Sequence, residues 1–258
     1  MVFILEFVVC CLCTMDIVQC SNHDMRARYN FHKDRTHMST LWYSPYAAEE
    51  LGMHQDIQEA FDNIGAGSLL SMNFPSYPAL TSEFLASMQT SIDRPSNGNG
   101  YVRFRLGNIK RTMSLGTLNG IFGFPNPTED YKTSWLGVER TWCLLTGQKK
   151  LPETTLRAGD IASPLFRVIL RILGNTIWAR RENSRPSEKE IGCIQGMLFV
   201  PRFYMNLGFE FLEHLRAYKR LNGEIWFGGM ITKIAMCFNV DLTLYTSLET
   251  DFINRAYL

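Results

Sequence analysis

His32 and His37, in the phrase FHKDRTH, are the first residues along the chain whose side chains could hold a metal. Histidines five apart do not share a helix face, and no thiolate or carboxylate pair completes a ligand set around them. The stretch from Met25 to Thr40 therefore reads as a solvated basic arm. Four of the seven cysteines (Cys10, Cys11, Cys13, Cys20) crowd the start, and Cys143, Cys193 and Cys237 are scattered. None has the spacing of a zinc site or a Cys-x-x-Cys pair, so a reducing compartment is expected, with the later three acting as small buried hydrophobes. His214 lies among Phe211, Leu212 and Leu215 and reads as a core histidine. There is no Asp-Thr/Ser-Gly, no Gly-x-Ser-x-Gly, no phosphate-binding glycine loop and no lysine in a pyridoxal-phosphate context. The sequence offers no catalytic residue, no metal site and no cofactor.

Arginine is the residue that gathers. Arg167 and Arg171, four apart, share one helix face, and Arg180, Arg181 and Arg185 follow closely. Residues 101–220 hold nineteen Lys and Arg against ten Asp and Glu, within a chain of net charge +1. Such a face could bind a polyanion, or could be neutralised by the acidic N-terminal part packing on it. Aromatic residues interleave with arginine at RFR 103–105 and IWARR 177–181, a mixture that can stack bases and grip phosphate. The preferred reading is that tryptophans fill the core while arginines reach out to water. If RNA is bound, Arg167, Arg171, Arg180, Arg181 and Arg185 are the candidates.

The elements that would position these residues are mainly α-helical, with one small β-hairpin at about 102–113. Val102, Phe104 and Leu106 alternate with Arg103 and Arg105, the period of a half-buried strand. Gly107-Asn108 suits a two-residue turn, pairing Leu106 with Ile109, Phe104 with Arg111 and Val102 with Met113. Ser114 offers a helix cap, Met113 and Leu118 have the spacing of a hydrophobic staple, and Gly123 with Pro125 ends the helix. Elsewhere, Ser44-Pro45 opens a helix carrying Leu51, Ile57, Phe61 and Ile64, and Leu80 to Met88 form another. Trp135 to Leu145 is dense and mixed, and 146–155 reads as loop or short strand. Ser163-Pro164 opens a strongly apolar helix that Gly174 stops, and Ser187 with Glu190 makes a capping box. Asn206 caps the next helix, Gly228-Gly229 begins another, and the last residues, SLETDFINRAYL, look helical.

Residues 1–24 form an apolar leader interrupted by Glu6, too short to span a bilayer and without a basic start. Residues 25–92 form an N-terminal helical region, DRPSNGNG at 93–100 a linker, and 101–258 the hairpin and a second helical region. Whole phrases then carry a resemblance: FHKDRTHMSTLWYSPYAAEE at 31–50, FPSYPALTSEFLASMQ at 74–89, VRFRLGNIKRTMSLGTLNGIFGFP at 102–125, and ARRENSRPSEKEIGCIQGMLFVPRFYMN at 179–206. From about Ala27 to Leu258 the chain resembles the first-open-reading-frame, gag-position protein of Athila-type plant retrotransposons. More distantly, the hairpin, cap and Gly-x-Pro stop resemble the start of the plant mobile domain. The resemblance implies a non-enzymatic structural or interaction protein, cytoplasmic or nuclear, that associates with itself and contacts RNA. It implies no small-molecule substrate and no membrane, and a C-terminus cut short of the family's length. The alternatives are a host-type interaction module or, if residues 1–20 act as a signal peptide, a secreted or tethered protein.

Overall fold

The computed structural model describes residues 18–20, 22–91, 100–126, 135–153, 155–180, 183–199 and 205–253. Among them the chain is mainly α-helical, and its centre is the expected hairpin. Strand β2 (Gln89–Ser91), β3 (Tyr101–Leu106) and β4 (Ile109–Ser114) form one antiparallel sheet in that order. The β3–β4 register is the one the turn dictates, with Leu106 on Ile109, Phe104 on Arg111 and Val102 on Met113. Gly107 (φ 62) and Asn108 (φ 65) both occupy the left-handed region, as a tight primed turn requires.

The inner edge of β3 is closed in an unusual way. Only residues 101–103 pair with β2. Beyond them, side chains of helix α4 (Pro78–Ser87) take over. Ser87 Oγ accepts the Arg105 N–H at 2.7 Å, and the Glu83 carboxylate accepts the N–H groups of Gly107 and Asn108, each at 2.9 Å. Glu83 is 0% exposed. A helix thus substitutes for a strand.

Helix α5 (Leu115–Phe122) follows β4 directly. Ser114 Oγ accepts the Thr117 N–H at 3.0 Å, Met113 and Leu118 are buried, and Gly123 ends the helix with φ 70. A Cβ at Gly123 would lie 3.0 Å from Ser68 Oγ. Gly123→Ala is therefore expected to cost about 1–2 kcal/mol through the left-handed backbone alone. Chemical denaturation would read the loss.

Three expectations need correction. The basic arm at 25–40 is largely helix: α1 (His23–Lys33) is capped by Asn22 and buries Met25, Tyr29 and His32 against α4. His37 then bridges to Ile225 instead of facing solvent. The Ser44-Pro45 helix is two, α2 (Pro45–Glu50) and α3 (His54–Asn63), because Gly52 takes φ 66 and turns the chain between them. The C-terminal stretch is extended: β5 (Asp251–Phe252) runs parallel to β1 (Leu41–Trp42), and Leu248 bridges to Ser76. Residues 254–258 lie outside the described residues.

The remaining helices are α6 (Trp135–Thr146), α7 (Pro164–Thr176), α8 (Glu188–Leu198), α9 (Leu207–Tyr218) and α10 (Gly228–Cys237). Pro164 opens α7 as expected, but Ser163 makes no side-chain cap bond. The helix also runs two residues past Gly174, whose missing Cβ leaves room for Asn183. The capping box of Ser187 with Glu190 and the Asn206 cap are both formed. Most of the linker at 93–100 lies outside the described residues, while the strands flanking it pair with each other. One buried cluster joins Trp42, Phe61 and Phe84 to Phe122, Trp142, Phe211 and Phe227. Of the later cysteines only Cys193 is buried; Cys143 is half-buried and Cys237 exposed at the end of α10.

Candidate nucleic-acid interface

The five candidate arginines divide. Arg167 and Arg171 sit one turn apart on α7, both half-buried. Neither guanidinium has an ion pair, hydrogen bond or ring partner among the described residues. The opposite face of α7, with Ile169, Leu170, Ile172 and Leu173, is sealed in the core, so both arginines are directed outward by the packing of their own helix. Their charge is available.

Arg180 is committed elsewhere. It pairs with the buried carboxylate of Glu190 and donates to the Arg185 carbonyl at 2.9 Å. Glu190 in turn accepts the backbone N–H and the hydroxyl of Ser187, each at 2.7 Å, at the start of α8. Arg180 therefore neutralises a carboxylate that caps a helix. Arg185 is exposed, and Arg181 lies outside the described residues. His214 borders this group with a buried Nε2 that has no partner, and burial followed by the charge of Arg180 lowers its pKa to about 4.

Cations that the linear spacing did not single out lie close by. A cleft of about 380 Å³ is lined by Lys149, Lys150, Arg157 and Asp160, among others. The Ala158 N–H donates to the Ser184 carbonyl at 2.7 Å, which holds this loop beside Arg185. Helix α7 meets the same turn, Ala158–Asp160. Lys150 is partly neutralised by Glu153 at 3.1 Å, both exposed. These residues are scattered through a loop, so no helical period marked them.

The aromatic half of the mixture is mostly core. Trp42 and Trp142 are fully buried, and Trp178 is nearly so. Their indole N–H groups are used inside, Trp42 on the Phe74 carbonyl and Trp142 on Gln148. The expectation that arginines beside them reach water fails at Arg105, which is 8% exposed and donates to the carbonyls of Gln19 (2.8 Å) and Asn108 (3.1 Å). Its neighbour Arg103 is exposed and lies 5.0 Å from the Tyr101 ring centroid.

His32 and His37 are turned inward, His37 Nε2 meeting the His32 carbonyl at 3.0 Å and Ser82 Oγ at 3.2 Å. Among the described residues no three His, Cys, Asp or Glu side chains converge to hold a metal.

A sequence model of the ATHILA ORF-1 family matches residues 21–200. No curated protein and no solved structure matches the chain.

Proposed function

The chain belongs to the ATHILA ORF-1 family, the first-open-reading-frame proteins of Athila-type retrotransposons, and from that membership we propose that it works by self-association and by contact with single-stranded RNA, without catalysis. What supports RNA contact is the pair Arg167 and Arg171, held on the outer side of a core helix with no acidic partner among the described residues. A core helix that carries two unneutralised guanidinium groups one turn apart presents a pair of cations able to meet phosphate. Arg185, Arg157 and Lys149 extend the positive surface on the neighbouring loops. The setting proposed is cytoplasmic or nuclear, and among the described residues no helix is long and apolar enough to cross a membrane.

RNA binding measured across a salt series tests this reading. Affinity is expected to fall steeply with salt, and Arg167→Ala with Arg171→Ala to reduce the log–log slope by about 1.4, near 0.7 for each lost single-strand contact. Arg180→Ala should instead act on stability, because it strands Glu190. Binding that ignores both salt and the double variant would overturn the RNA assignment. A stable monomer indifferent to RNA would favour the host-type interaction module.

A further inference from the structure

The two sides of the central sheet are treated differently. On one side β2 and Ser87 pair with β3, and the buried Glu83 accepts the amides of its turn. On the other side β4 has no neighbour among the described residues. The two-residue turn makes Leu106 and Ile109 a mutually hydrogen-bonded pair, and the alternation then bonds Phe104 to Arg111 and Val102 to Met113. The Leu115 N–H on the Gly100 carbonyl at 2.9 Å continues the same parity. Lys110, Thr112 and Ser114 must therefore direct their backbone groups away from β3. No described residue bonds to those of Lys110 and Thr112, whereas the Ser114 carbonyl opens the first turn of α5. Open backbone on an outer strand is a template for another strand.

We propose that β4 is where two copies of this chain join, pairing antiparallel about Thr112 to make one six-stranded sheet. This rests on the self-association reading and supplies its surface. The occupant follows from the charges on the strand. Ile109–Ser114 carries Lys110 and Arg111 and no acidic residue. Only registers that align outward-facing residues can bond, and two of them keep five of the six residues of Ile109–Ser114 paired. One sets Arg111 against Arg111 of the second copy and is opposed by like charge. The other sets Thr112 on Thr112, Lys110 opposite Ser114, and Arg111 opposite Met113. It places no cation directly against another. The cations that guard this edge thus select one register. The rim is also apolar: Ile109 is 56% exposed, and the chain under the hairpin, reached by Arg111 over the Phe238 ring and by Gly107 against Val240, carries exposed Met236 and Leu244.

Introducing a cysteine by Thr112→Cys in the full chain, with Cys237→Ser to remove an exposed thiol, tests the pairing under mild oxidation or a short bis-maleimide. Residues facing each other on the dyad lie about 5.5 Å apart at Cα, within reach of a cross-link. The expected result is a cross-linked dimer mapped to residue 112, a several-fold lower yield from Lys110→Cys, and a yield that rises with salt as the cations are screened. In the unaltered chain, hydrogen exchange at the Lys110 and Thr112 amides should slow as protein concentration rises, which keeps the test valid if a variant fails to fold. Oligomers without a cross-link at 112, or with these amides unprotected, would overturn the pairing and leave self-association standing. A monomer at all concentrations would overturn both. Protection of the same amides only on adding RNA would assign the edge to RNA and overturn the dimer.

Discussion

Glu83→Ala is expected to lower the free energy of unfolding by about 3–5 kcal/mol, the cost of breaking one side of a buried charged pair. Three partners are stranded at once. The Gly107 and Asn108 N–H groups lose their acceptor, and Arg105 loses the carboxylate 3.7 Å from its Nε. Arg105 has little recourse to water, being itself 8% exposed with its Nη atoms against Met25 Sδ and main-chain carbonyls. Burial pushes the Glu83 carboxyl pKa up even against these partners, so ionisation there comes at a desolvation cost. Glu83→Gln removes that charge and keeps one acceptor oxygen for the turn. Its loss should be smaller, about 1–2 kcal/mol. Urea unfolding followed by tryptophan fluorescence would separate the two variants. A loss below about 1 kcal/mol for the alanine variant would mean that the hairpin holds without its anchor. Because the same carboxylate fixes the turn from which β4 departs, destabilising it should also weaken pairing along β4.

Glu83 shows where sequence reasoning stops. A glutamate in the middle of an apolar helix carries no mark of its partners, which are backbone groups 24 and 25 residues further on. The hairpin itself was legible, because Gly107-Asn108 accepts two positive φ values and a two-residue turn leaves one register. The caps at Ser114, Ser187 and Asn206 were legible for the same reason: each concerns atoms three residues apart. Helix α1 was not, since its buried stripe is only Met25, Tyr29 and His32, the last of them polar, in a helix otherwise rich in charged residues. Nor was the extended C-terminal segment, where Ile253 donates to the Trp42 carbonyl across most of the chain. Local geometry was readable and distant pairing was not.

The arginine group follows the same division. Spacing alone placed Arg167 and Arg171 on one face, and both remain unpaired among the described residues. Proximity in the chain grouped Arg180 with them, but a carboxylate ten positions later claims it. Nothing local distinguishes a guanidinium that neutralises a helix cap from one that faces solvent. Lys149 and Arg157 join the surface only because the Ala158–Ser184 bond folds their loop against it. Candidate residues could be proposed from the sequence, but which of them hold free charge required the fold.

Acidification from pH 6.5 towards 4 is expected to destabilise the protein through histidines that the fold keeps neutral. His32 is 1% exposed, and its pKa is lowered to about 4 by burial first, then by Arg35, Lys219 and His37. His214 is lowered to about 4 by burial and then by Arg180. His37 is lowered too, chiefly by burial, although its bond to the His32 carbonyl pulls the other way. The unfolded chain binds protons near the ordinary value of 6.5 and the native state resists them. Stability must therefore fall as pH drops through that window. A shift of this size corresponds to at most about 3 kcal/mol for each of His32 and His214. Glu83 and Glu210, whose pKa values burial raises, take up protons earlier in the folded state and partly offset the loss. The net effect should still be a marked decline, because two large shifts outweigh these opposing ones. His214→Phe keeps a ring where Nε2 has no partner, and should flatten the pH dependence without a comparable loss at pH 7. His32→Phe should cost stability at neutral pH, because it removes the ring nitrogen facing Arg35 at 3.3 Å. Equal urea midpoints at pH 7 and pH 5 in the unaltered chain would show that these rings are open to water, and that α1 does not close over its histidine as described.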